Sequence, residues 1–392
     1  MPPPAEEANT GHVPMLDLKK QHESIADEVK AAVDEVVGHQ RFVNGPELDR
    51  FEEAMAGYLG AKHAIGVSSG TDALLVTLMA LGVGEGDEII TTPFSFVSAA
   101  EVIARLGARP MFADVLPENM LIRPAAVQQL LSSRTRAIIP VHLYGQVCEV
   151  GQLIDLSRDR RVPLIEDCAQ SLGARLDDRA AGTFGLAGTF SFFPSKNLGA
   201  WGDGGLVVTD DAALAEKIRL IRNHGSGTRD RYELLGGNFR LDTLQAAVLR
   251  IKLAHLDEWL AARRMAARYY GQLFAEAGLS AGPNETRHPG HRILLPPVWD
   301  DDAHCFNLFV IQAEKRDELK KYLAAKDIDT AVYYTTPLHL QPCFSDLDYR
   351  KGDFPVAEEA ARKVLALPLF AEITRQQQKR VVEAIAEFYH GA

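Results

Sequence analysis

At 392 residues, with 46% hydrophobic and 24% charged side chains, the chain has the make-up of an ordinary globular protein, longer than one usual domain. Its net charge of −11 argues against nucleic acid and anionic membrane as partners, so a phosphorylated substrate would need a local basic pocket. Four cysteines (Cys148, Cys168, Cys305, Cys343) show no C-x-x-C and no metal-ligand spacing, which points to a reduced, cytoplasmic protein without a metal centre.

Residues 1–12 are Pro-rich and acidic and lack a basic stretch followed by an apolar core. They read as a flexible tail rather than a signal peptide, and no apolar run approaches a membrane span. Ile25, Val29, Ala32, Val33, Val36 and Val37 recur with helical period. Gly45-Pro46 breaks the chain, and Pro46 opens a helix through Leu59. HAIGV at 63–67 is a short strand, followed by Ser68, Ser69, Gly70, Thr71 and Asp72 and then the helical ALLVTLMAL. A strand, a glycine turn and a helix start make a phosphate site in outline, because free N–H groups and the helix dipole favour an anion there. Gly70 permits close approach, and Ser69 and Thr71 add hydroxyls; a plain helix cap by either residue fits the same letters.

Gly82, Gly84 and Gly86 follow a helix and precede the strand EII, the reverse of a dinucleotide fingerprint, and so form a turn. If that strand continues through TTPFSF, Phe94 and Phe96 share a face, with Phe94 in the core. RPMFADV and TRAIIPVHLYG continue an alternating β/α pattern and imply a mainly parallel sheet. His142, at the end of the second, is expected to be a satisfied structural histidine.

The stretch from Val162 to Val208 carries the chemistry. One apolar run ends on Glu166, Asp167 and Gln170, and a second ends on Pro194, Ser195 and Lys196. Functional groups in open α/β sheets collect at the carboxyl ends of strands. A lysine that can form an imine and a carboxylate that can hold a pyridine nitrogen protonated suggest pyridoxal phosphate. A surface lysine and an acidic helix cap are the plainer alternative. Glu166 neighbours Asp167 on a strand and should face the other way, in a structural role. A helix spans 212–222, and a loop with Arg229, Arg231 and Arg240 precedes a long helix from Leu241 towards Phe274. Beyond it, HCFNLFVIQA reads as a strand, RDELKKYLAAKDI as a helix, and TAVYYTTPLHLQPCF as a strand and turn. The expected division is a large domain over 13–250 and a small α+β domain over 251–392.

The segments GTDAL, IEDCAQSLGA, GTFSFFPSKNLGAWGDGGLVVTDD, RNHG and GGNFRLDTLQAAVL resemble the DegT family of fold-type I pyridoxal-phosphate enzymes, the nucleotide-sugar aminotransferases. The resemblance runs from about Val13 to the end of the chain. It implies an α/β, aspartate aminotransferase-like fold and a homodimer with active sites at the subunit interface. Lys196 and Asp167 would be catalytic. Ser69, Gly70, Thr71 and Ser191 would hold the cofactor phosphate, Phe96 the ring face and Gln170 the ring edge. Asn238 would touch the partner's cofactor, and Arg240, Arg229, His224, Tyr333 and Tyr334 would meet the substrate. The implied amino donor is L-glutamate and the acceptor a nucleotide-linked keto sugar, a UDP- or dTDP-3-keto sugar above the 4-keto class. Dehydratases of this fold carry histidine in place of the lysine, which sets that reading behind. A regulatory member that binds without turnover is the alternative from another class.

Overall fold

The computed structural model describes residues 11–228, 230–280, 292–297 and 302–391. Arg229 and most of the N-terminal tail lie outside the described residues. Among the described residues, seven strands form the main sheet. Arg109–Phe112, Glu88–Thr91 and Thr135–Ile138 pair in parallel, in that spatial order. Parallel bridges Ile138↔Leu164 and Val141↔Asp167 carry the sheet on to Ile165–Asp167. Ala187–Ser191, Gly205–Thr209 and His63–Val67 complete it, with Gly205–Thr209 antiparallel to both neighbours.

Period-two alternation sorts the strand residues between two cores. Ile65, Ile89, Ala137 and Val207 face the helices Gly70–Ala80, Ser98–Arg105 and Ala212–Arg222. Ala64, Ile90, Ile138 and Val208 face the other way, where Pro46–Leu59 and the long helix Thr243–Glu276 lie. Gly70–Ala80 is apolar on nearly every side and almost wholly buried, as a helix against a two-faced parallel sheet must be. The 34 residues of Thr243–Glu276 span about 51 Å at 1.5 Å per residue. Leu249, Leu256 and Leu260 pack with the main sheet, while Ala267, Tyr270 and Phe274 pack in a second core. That core covers the antiparallel sheet Ile293–Leu294, Phe309–Ala313 and Val364–Leu367 with the helices Arg316–Ala325 and Arg375–His390. Val13 bridges Ile328 and is buried there too, so the chain's start packs with its end.

Two expectations differ from what is found. The strand does not continue past Thr91: Pro93 removes a donor, Phe94 is fully buried and Phe96 is 57% exposed, so the two rings do not share a face. TAVYYTTPLHLQPCF forms no strand; Ala331 makes a single bridge to Ala366, followed by turns and the short 3₁₀ segments Leu338–Leu340 and Pro342–Leu347. Pro337 and Pro342 deny that stretch the donors a ladder needs.

Glu166 faces away from Asp167 as alternation requires. Its carboxylate accepts the N–H groups of Gly182, Phe184 and Gly185 at 2.7–2.8 Å and meets His142 Nε2 at 2.9 Å. His142 Nδ1 accepts the Cys148 N–H at 3.0 Å, so both ring nitrogens are used. Cys168 lies beside this pair, but carboxylate and imidazole are already committed to the fold. Glu166→Ala orphans three N–H groups, one buried and two partly so, and the buried His142, and is expected to lower unfolding free energy by about 3–5 kcal/mol, measured by urea titration. A loss below about 1 kcal/mol would refute that role.

Candidate active site

Asp167 is the last residue of strand Ile165–Asp167, paired in parallel register with Thr189. The neighbouring strand ends two residues later at Ser191, and the chain turns back through Lys196. Adjacent parallel strands therefore deliver an acid and an amine to the same edge of the sheet. Burial raises the Asp167 carboxyl above its ordinary value, opposed by the Ala169 N–H at 3.0 Å and by the Lys196 charge. Burial lowers the Lys196 amine, opposed by Asp167. Among the described residues, Lys196 Nζ donates no hydrogen bond and has no carboxylate within 4.0 Å. The two charges oppose each other's shift, and the amine has no close partner of its own.

Behind them is a cradle. Ser69 caps the helix Gly70–Ala80 by accepting the Asp72 N–H at 3.0 Å, so the cap expected as the plainer alternative is present. Among the described residues the Gly70 and Thr71 N–H groups have no protein acceptor, as expected for a first turn. A Cβ at Gly70 would lie 2.6 Å from Ser191 Cβ and 3.2 Å from its Oγ. Gly70 and Ser191, 121 positions apart, thus face each other where two free N–H groups and a hydroxyl converge. Gly205 completes this corner: its own Cβ would stand 2.8 Å from the Gly70 nitrogen.

Gln170 lies one turn beyond Asp167. Its Oε1 accepts the Tyr144 N–H at 2.6 Å, and its Nε2 donates to the Tyr334 hydroxyl at 3.3 Å. The Tyr144 hydroxyl in turn donates to the Tyr333 carbonyl. Tyr334 feels the Asp167 charge, and it shares with Phe96, Thr335, Thr336 and Gln341 a cleft of about 360 Å³. On the other flank Arg240 bridges Val67, its guanidinium donates to Asn223 at 2.9 Å, and Ser68 N–H donates to Phe239. Asn238 pairs with Asn223, and His224 N–H with Gly237; the side chains of Asn238 and His224 are exposed.

A model of the DegT/DnrJ/EryC1/StrS aminotransferase family matches residues 23–386. The chain belongs to that family. The pleiotropic regulatory protein of Geobacillus stearothermophilus is 45% identical over 96% of this chain and 99% of its own length. The dTDP-3-amino-3,4,6-trideoxy-alpha-D-glucose transaminase of Streptomyces venezuelae is 41% identical over 97% of both chains. The crystal structure of S. venezuelae DesV in complex with a ketimine intermediate superposes with a TM-score of 0.90 at 40% identity, covering 96% of this chain and 98% of that one.

In this family member the fold brings Asp167, Lys196, Gln170 and Tyr334 together, and Ser69, Gly70, Thr71 and Ser191 beside one another. His224 and Asn238 stand on the exposed side, with no contact to the acid and amine among the described residues. Sequence reasoning missed Gly205, Tyr144 as the anchor of Gln170, and Cys305, whose thiol donates to the Gln170 carbonyl at 3.4 Å. The Gly204-Gly205 pair was a usable signal, since glycine inside a strand marks close backbone approach.

Two measurements probe this geometry. In cofactor-free protein, the pH midpoint for capture of a small aldehyde by Lys196 should fall below that of an exposed lysine, about 10.4. Asp167→Asn removes the opposing pull and should move it lower still; an unmoved or raised midpoint would separate the two groups. Gly70→Ala crowds Ser191 and should weaken pyridoxal phosphate binding about tenfold or more, with little effect on pyridoxal, which lacks the phosphate. Equal losses for both ligands would place the phosphate elsewhere.

Proposed function

We propose that this protein moves an amino group from L-glutamate to a nucleotide-linked keto sugar, using pyridoxal phosphate. The observation that carries the reading is the meeting of a buried acid, Asp167, and a partnerless amine, Lys196, at one sheet edge beside an open anion cradle. Gly70 and Thr71 N–H groups with the Ser69 and Ser191 hydroxyls would hold the phosphate, and Phe96 and Gln170 the ring face and edge. When bound, pyridoxal phosphate supplies a protonated ring that accepts the electron pair released at the donor's α-carbon.

Asp167 keeps a negative charge where the ring nitrogen must stay protonated, and burial strengthens that ion-paired hydrogen bond. Lys196 Nζ, pushed towards its neutral form, would take the donor's α-proton and deliver it to the cofactor carbon that carried the aldehyde, leaving the amine as it began. Such positioned proton transfer contributes about 10²–10⁴-fold. Gln170 retains an N–H after its bond to Tyr334, and that N–H would serve the ring edge. Arg240 is offered to the substrate diphosphate, where a planar guanidinium suits paired phosphate oxygens. Arg229 is assigned the same role from sequence.

A 3-keto sugar carried by dTDP or UDP is the favoured acceptor, in keeping with the 41% identical transaminase named for a dTDP-linked 3-amino sugar. We further propose a homodimer in which His224 and Asn238 reach the other subunit's site; exposed Phe42, Val43, Phe193, Trp201, Tyr232 and Leu235 support an apolar contact. The division at residue 250 and a cytoplasmic setting belong to the same reading. Among the described residues no helix is long and apolar enough to cross a membrane. A regulatory role without turnover is the second reading, favoured by the name of the 45% identical relative.

Adding L-glutamate to the loaded protein should convert the lysine-bound cofactor absorbance to that of the pyridoxamine form. A regulator would show no conversion. Lys196→Ala should lower turnover at least about 10⁴-fold without loss of fold; wild-type rates would remove Lys196 from the chemistry. Screening the pyridoxamine form against 3-keto and 4-keto nucleotide sugars should show faster return with the 3-keto class.

A further inference from the structure

The turn that presents Lys196 is tied down from behind. Ala200 N–H donates to the Phe192 carbonyl at 2.8 Å and Lys196 N–H to Phe193 at 2.8 Å, closing a tight loop. A Cβ at Gly199 would run into the Pro194 carbonyl, so the loop can close only around a glycine. Residues 197–200 are buried, while Lys196 is partly open. Asn197 Nδ2 reaches the Cys305 carbonyl at 3.4 Å. From the long helix, Lys252 Nζ donates to the Gly199 carbonyl at 2.6 Å, and that carbonyl has no other partner among the described residues.

Lys252 is costly to keep. It is 5% exposed and makes no ion pair within 4.0 Å among the described residues. Its ammonium lies 6.0 Å from the Trp259 ring, and Leu18, Ile25, Pro194, Ala200 and Trp201, with Gln21 and His22, line a mainly apolar cavity beside it. Burial pushes its amine down to about 8, with the Glu372 carboxylate opposing. A hydrophobe of equal length would fill this space without desolvating a charge. What such a side chain could not do is supply a charge-assisted donor to a buried carbonyl three residues from Lys196.

We propose that Lys252 is a positioning residue for the aminotransferase reaction, clamping the Gly199 carbonyl so that the Lys196 turn is held in one geometry against the long helix. The proposal rests on Lys196 being the reactive amine. The clamp acts on a loop and not on the global core, so its loss should loosen the turn while sparing the fold.

The test compares full-length wild type, Lys252→Met and Lys252→Arg. In Lys252→Met the Ala200 and Trp201 amides should exchange with deuterium about tenfold faster, with the urea midpoint unchanged or higher. Capture of pyridoxal phosphate by cofactor-free protein should slow about tenfold, and kcat should fall similarly with KM for the sugar within about twofold. Lys252→Arg should restore part of both losses. Wild-type loop exchange and capture in Lys252→Met would overturn the proposal. So would uniform loosening of the whole chain with a lowered urea midpoint, which would make Lys252 a packing residue. If borohydride reduction of loaded wild type labels a lysine other than Lys196, the reading of the site fails instead, and this inference with it.

Discussion

The site depends on one parallel strand pairing. Ile165–Asp167 lies against Ala187–Ser191 with Asp167 opposite Thr189, and every chemical group of interest is placed by that register. A slip of one residue would exchange the faces of Glu166 and Asp167. The acid now in the recess would enter the peptide cage of Gly182, Phe184 and Gly185, and the caged acid would enter the recess. Glu166 is thus as informative as Asp167. Its three N–H donors and His142 make the correct register the one in which the buried Glu166 carboxylate is satisfied.

Around that pairing, the proposed anion affinity and amine reactivity would arise from groups the protein leaves unfinished. The first N–H groups of the helix Gly70–Ala80 have no acceptor, the Gly70–Ser191 contact has no room for a side chain, and Lys196 has no close partner. Next to them, polar groups are paired in sequence from Tyr144 through Gln170 to Tyr334. In the proposed reading, the paired groups hold the shape of this corner and its unpaired ones are offered to a ligand. The Gln170–Tyr334 bond also ties the segment between the last two strands of the small sheet to the turn that follows Asp167.

Much of the fold was legible because periodicity survives in short windows. HAIGV, the helix after Pro46, the helix Ala212–Arg222 and the alternating β/α order all follow from patterns within a dozen residues. The misreadings lie where proline chemistry and distant packing override local propensity. Phe94 and Phe96 parted because the strand stopped before Pro93, and the tyrosines after Ala331 entered turns beside the site instead of a ladder. Tyr144, Cys305 and Lys252 escaped notice for a different reason. Each acts on a residue tens to more than a hundred positions away, and nothing in its own neighbourhood marks it.

The sequence by itself determined the residue types needed for the chemistry and their attachment to strand ends and a helix start, since those follow from local hydrogen-bonding and period. Tertiary structure alone decided which of them meet: that Gly70 faces Ser191, that Asp167 and Lys196 share a field, and that a helix-borne ammonium grips the loop between. Proximity of this kind is set by strand order and register, which are paid in non-local contacts and leave no trace in any short stretch of letters.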